Sequence, residues 1–182
     1  MRDILRDIIA RPLTDMQWEQ AKLPVGMGGL GIRSAQDHCS AAFIASVLAS
    51  VPLVQESVSA DLMNIAPSVI HLRSVTGEEV TEEGLQGLRQ KDLSYKVDVF
   101  NRETLMSGCD STREKARLGS LSLPHAGNYL NVVPSPILGL HLWEKEFRLI
   151  VCYRLGIDVF DKEGPCPACH RFSDSLGDHV IL

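Results

Sequence analysis

Apolar residues along this chain recur at helical spacing, in short runs broken by glycine and proline. Ile4, Leu5, Ile8 and Ile9 form an i, i+1, i+4, i+5 stripe that predicts a first helix. Thr14-Asp15-Met16-Gln17 has capping-box spacing ahead of Trp18 and predicts a second helix before Pro24. Ser34 is placed to cap a third, in which Ala41, Ala42, Ala45, Ser46 and Ala49 keep one side small enough for another helix to approach closely. Asp92 to Met106, Ser111 to Leu118 and Trp143 to Leu155 continue the helical pattern, with a short turn of helix over Pro124 to Asn131. Gly156 supplies the stop after the last long helix. No alternating run is long enough for a sheet core and no internal repeat occurs, so the expected fold class is mostly α, built of short helices.

Between these helices, Glu78, Glu79, Glu82 and Glu83 follow one another with no intervening basic residue, next to Thr76-Gly77, Gly84 and Gly87. Such a stretch predicts a solvated boundary over residues 77–92. It divides the chain into a helical region at 1–76, a second helical subdomain at 93–160 and an irregular tail at 161–182.

The chain has 182 residues, 45% hydrophobic and 23% charged, which excludes wholesale disorder and low-complexity classes. Its formal net charge of −5 argues against a protein coated in positive charge. The beginning, MRDILRDIIA, carries Asp3 and Asp7 within its apolar residues and does not read as a secretory signal. Ala41 to Val54 is interrupted by Ser46, Ser50 and Pro52 and falls short of the roughly 20 residues that cross a bilayer. The expected setting is therefore intracellular, cytoplasmic or nuclear, with no membrane association.

Gly26-Met27-Gly28-Gly29-Leu30-Gly31 satisfies the letter of a dinucleotide fingerprint, but a helix and Pro24 precede it where a strand is needed. The expectation is a turn whose glycines permit positive φ and close backbone approach. Cys166-Pro167-Ala168-Cys169 with His179 is a stronger signal. Two thiolates two residues apart suit two corners of a tetrahedral zinc (Zn2+) site, and Gly177-Asp178 lets the chain fold His179 back as a third ligand. A structural zinc site has four ligands. Cys152, His170, Asp174, Asp178 or water are the candidates for the missing corner. An exposed loop holding no metal is the alternative, and a redox C-x-x-C lacks the strand-to-helix setting that would activate a thiol.

His38, His71, His125 and His141 lie apart from any evident nucleophile and read as structural. From Ser111 to Arg154 the basic residues Arg113, Lys115, Arg117, Lys145, Arg148 and Arg154 outnumber the acids Glu114, Glu144 and Glu146. This excess could form a phosphate-contacting face, with Arg113, Lys115, Arg117, Arg148 and Arg154 as its residues, or a set of solvated helix faces.

Three blocks together resemble the region downstream of the polymerase core in reverse-transcriptase-like proteins of non-long-terminal-repeat retroelements that carry a restriction-like endonuclease. They are Trp18 to Pro24 running into Gly28-Gly29-Leu30-Gly31-Ile32-Arg33-Ser34; Arg117-Leu118-Gly119-Ser120-Leu121 with Pro124-His125-Ala126-Gly127 and Leu130-Asn131; and Glu146-Phe147-Arg148, Arg154-Leu155-Gly156, Cys166-x-x-Cys169 and Gly177-Asp178-His179. The resemblance implies that 1–76 is thumb-like, 93–160 a helical linker and 161–182 a truncated zinc knuckle. In it Cys166, Cys169 and His179 match the first three ligands, and the fourth cysteine is expected just beyond Leu182.

No Tyr/Phe-x-Asp-Asp motif and no endonuclease carboxylate-and-lysine set occurs in the chain. Without carboxylates to hold metal ions in line with a phosphate, neither polymerisation nor strand cleavage is expected of it. The resemblance therefore implies a non-catalytic fragment that positions RNA or DNA for catalytic domains encoded elsewhere. A small helical adaptor, contacting a protein partner through the zinc loop or the acidic 78–83 segment, is the competing class.

Overall fold

The computed structural model describes residues 1–54, 64–81, 83–85 and 87–181. It is mostly helical: α1 (Arg2–Ile9), α2 (Asp15–Lys22), α3 (Ala35–Val54), α4 (Ala66–Thr76), α5 (Gln90–Ser107), α6 (Thr112–Leu121), α7 (Glu144–Leu155) and the short α8 (Asp178–Ile181). Its β structure among the described residues is small, a two-stranded antiparallel pair of β1 (Gly164–Pro165) and β2 (Phe172–Ser173) and an isolated bridge from Ser135 to Leu140. No described helix is long and apolar enough to cross a membrane.

Two compact units divide the chain, one formed by residues 1–32 with 109–182 and the other by 33–108. This corrects the division expected at 77–92. Glu82 and Gln86 of that stretch lie outside the described residues, but its apolar members do not behave as a solvated linker. Val80 and Leu85 are buried in the core of the 33–108 unit. The carbonyl of Val80 accepts from Arg73 Nε at 2.7 Å, and Lys96 Nζ lies 2.6 Å from Glu78. Glu78 and Glu79 are exposed, while Val80 and Leu85 turn inward. Burial of those side chains outweighs the solvation of their neighbours.

In the 33–108 unit, α3, α4 and α5 pack against one another. Ala41 and Ile44 from α3, Val69 and Leu72 from α4, and Leu93 and Val97 from α5 meet in one core. Ser34 caps α3 as expected, its Oγ accepting from the Asp37 N–H at 3.2 Å. Helix α4 carried no pattern that predicted it. It begins on Ala66 with proline in its first turn, and the core makes it part of the bundle. Asp98, buried on α5, pairs with Arg33 and lies 3.3 Å from His38 Nε2.

The other unit packs α1 and α2 against α7. Leu5, Ile9, Ala21, Val151, Cys152, Leu155 and Ile157 are its buried cluster. Only half of the predicted α1 stripe faces inward, since Ile4 and Ile8 are exposed. The α2 capping box forms in both directions, Gln17 N to Thr14 Oγ1 at 3.2 Å and Thr14 N to Gln17 Oε1 at 2.9 Å.

A buried polar knot holds the glycine turn to α6 and α7. Arg154 is 1% exposed. It donates Nε to Gly29 O at 3.0 Å, Nη2 to Val25 O at 2.6 Å and Nη1 to Ala126 O at 3.3 Å. Gln20 donates to Gly28 O and to Arg154 O, and Arg117 reaches Gln20 Oε1 at 3.0 Å and the Arg154 carbonyl. Gly28 at φ 93° and Gly31 at φ 75° turn the chain, and a Cβ on Gly29 would stand 2.0 Å from the Leu23 carbonyl oxygen. The glycines thus serve close backbone approach, as the sequence context suggested.

Candidate metal centre

Beyond α7 the chain runs into residues 161–182 through Val159 and Phe160, whose N–H groups both donate to Ser175 O at 2.8 and 2.9 Å. The β1–β2 pair, in register Gly164 to Ser173 and Pro165 to Phe172, then presents the C-x-x-C loop. Within the loop, Cys166 N donates to Arg171 O at 2.7 Å and His170 N to Cys166 O at 2.8 Å. His170 sits in the left-handed region at φ 60°, which closes the turn. Pro165 and Pro167 flank Cys166 and hold φ there without consuming a donor.

The third candidate ligand arrives by a different device. Asp174 Oδ1 accepts from Gly177 N at 2.7 Å and Asp178 N at 3.0 Å, and Gly177 turns through φ 85°. This starts α8 and aims His179 back at the loop. Cys169 Sγ and His179 Nε2 come within 3.0 Å, and one ligand atom from each of Cys166, Cys169 and His179 lies within 4.8 Å of the others. Metal–ligand bonds of about 2.0–2.3 Å require tetrahedral ligand edges of roughly 3.3–3.8 Å. The group could hold a metal ion with adjustments of about 1 Å. The Cys166 thiol is pulled down to about 7, first by the backbone N–H groups of Cys169 and Ala168 and further by His179 and Cys169. That favours the thiolate a metal needs.

None of the candidates for the fourth corner joins this group among the described residues. Asp174 is engaged by the two backbone N–H groups. Asp178 is held by Arg113 through Nε to Oδ2 at 2.7 Å and Nη2 to Oδ1 at 2.6 Å, and the guanidinium keeps its carboxyl below the usual range. Cys152 is buried in the core beside α1, where burial pushes its thiol up. His170 is exposed on the turn.

The five basic residues expected to contact nucleic acid do not make one face. Arg154 and Arg117 are interior, spent on the carbonyls of the glycine turn and α7, and burial lowers the affinity of Arg117 for its proton. Arg113 serves Asp178. Arg148 donates Nε to Ile8 O at 2.7 Å and pairs with Glu144 at 2.5 Å, and Lys115 alone of the set is exposed. Helical spacing could not reveal this, because two of the three acceptors of Arg154, Gly29 O and Val25 O, lie more than a hundred residues away. The Arg113–Asp178 clamp was likewise invisible in the sequence. Comparisons with protein-family models, with curated proteins and with solved structures find no match to this chain.

Proposed function

We propose that this chain is a non-catalytic, nucleic-acid-positioning part of a retroelement reverse-transcriptase-like protein, whose Cys166, Cys169 and His179 bind zinc. The observation that carries the reading is the convergence of those three ligand atoms on one point from a hairpin loop and a separate helix. Thiolate and imidazole donors at such distances suit zinc among the common ions. When bound, zinc would tie the loop to α8 and so stiffen a surface for a phosphate backbone. The fourth position would be taken by water or by a donor outside the described residues. The chain holds no carboxylate set for phosphoryl transfer, so its role is grip, with catalysis supplied elsewhere.

Zinc content measured on the purified full chain tests the metal: about one ion per chain in the wild type and a marked loss in Cys166→Ser are expected, and equal, substoichiometric zinc in both would refute it. Binding of RNA or DNA tests the grip. A complex that weakens steeply with rising salt supports it through counterion release, and no complex even at low salt would refute it.

The adaptor reading is favoured by one feature. Between the short helix at Asn128–Asn131 and α7, Val133, Ile137, Leu138 and Trp143 are all exposed, Ile137 at 96%. Four large apolar side chains left exposed within one segment suit a protein partner, and absence of any nucleic-acid complex would leave it as the better account.

A further inference from the structure

A second candidate site lies in the same unit, and its lining includes none of Cys166, Cys169 and His179. A pocket of about 430 Å³ opens between the C-terminal end of α1, one side of α7 and the turn after it. Its polar lining is three cations, Arg11, Lys145 and Arg148, against one carboxylate, Asp161. Phe160, half-buried, adds an aromatic wall.

The cations differ in how they are held. Arg148 is oriented from behind, its Nε fixed on Ile8 O at 2.7 Å. Its outward partner Glu144 and the Arg11 partner Asp161, each at 2.5 Å, are 74% and 80% exposed at the side chain. Pairs so open to water contribute little and exchange readily for a better acceptor. Lys145 is exposed and has no ion-pair partner among the described residues. A phosphate offers several oxygens to two guanidinium forks and an ammonium, a stronger match than one carboxylate. The volume is ample for a nucleotide, whose base can lie against Phe160 as bases do on aromatic platforms.

We propose that this pocket binds a nucleotide phosphate, held by Arg11, Lys145 and Arg148. The inference rests on the nucleic-acid reading above for the source of the phosphate, not for the chemistry of the pocket.

Two arms test it on the full chain. In the first, a fluorescein-labelled single-stranded RNA oligonucleotide is titrated at several salt concentrations. Lys145→Gln and Arg11→Gln should each weaken binding by about 3- to 10-fold and flatten the logarithmic salt slope by about 0.7. Lys91→Gln, on the other unit, should change neither, and melting curves verify that the variants fold. In the second, adenosine monophosphate is added to labelled protein while the Arg11 and Arg148 Nε–H resonances are followed, with shifts expected in the wild type and smaller ones in Lys145→Gln.

A response in the first arm assigns the phosphate to a strand, and a response in the second alone assigns it to a free nucleotide. Nucleotide binding without any RNA complex keeps the pocket and removes the nucleic-acid grip. Wild-type RNA affinity and slope in both variants, together with unmoved arginine resonances, overturn the pocket and leave the grip standing.

Discussion

Arg113 on α6 clamps Asp178 at the start of α8 with two parallel hydrogen bonds of 2.7 and 2.6 Å. The next residue is His179, so the clamp fixes the helix that carries the imidazole toward Cys169. A residue that the sequence offered as a phosphate contact is instead a positioning residue for the candidate metal centre.

Outer partners of this kind tune metal affinity. Arg113→Met should weaken zinc binding by about 10-fold or more, while Arg113→Lys, with one donor point in place of a fork, should fall between it and the wild type. A competitive chelator titration reads this directly, and equal affinity in all three proteins would show that α8 needs no clamp.

Arg154 donates to three carbonyls, those of Gly29, Ala126 and Val25, the last of which also accepts from the Gly28 N–H. Lysine retains the charge but cannot span Val25, Gly29 and Ala126 at once. Arg154→Lys should therefore destabilise the fold by about 2–4 kcal/mol, seen in denaturant unfolding at constant slope.

Gly29 approaches the Leu23 carbonyl too closely for any side chain. Gly29→Ala must open the turn that Arg154 and Gln20 hold, at a cost of about 1–3 kcal/mol. Gly26→Ala, where a Cβ meets nothing within 4 Å, provides the matched control and should leave the melting temperature nearly unchanged.

Asp92 accepts from the Arg89 N–H at 3.0 Å at the start of α5, and this backbone hydrogen bond holds its carboxyl below the ordinary carboxylate range. A depressed folded-state pKa stabilises above the unfolded value and is lost as pH falls through the folded one. The melting temperature of wild type minus that of Asp92→Asn should be constant near neutral pH and shrink as the solution is acidified below about 4. A difference that persists unchanged into strong acid would show that the carboxylate does not cap the helix.

Much of the local structure was legible. Thr14 and Gln17 announced their reciprocal cap, Ser34 its helix start, and Gly156 the end of α7, because each acts on residues within one turn of itself. The metal group was legible for a related reason: Cys166 and Cys169 share a turn, and Gly177 marks the bend that returns His179. Helix α4 was not, since its apolar residues Val69, Leu72 and Val75 make a pattern only once α3 and α5 supply the facing surface. The division at 77–92 failed because charge composition does not report which intervening residues, here Val80 and Leu85, face a core.

Helical class, cap positions and the spacing of two sulfurs and an imidazole follow from the chain alone, since those contacts join near neighbours whose geometry backbone dihedrals nearly dictate. Which arginines meet solvent was decided only in three dimensions. Gln20 and the Arg154 carbonyl are 134 positions apart, and Arg113 and Asp178 are 65 apart. At such separations a charged side chain is assigned by what packing leaves unpaired: each buried carbonyl without a donor costs about 1–3 kcal/mol, and only several such acceptors together compensate a buried guanidinium for the hydration it loses.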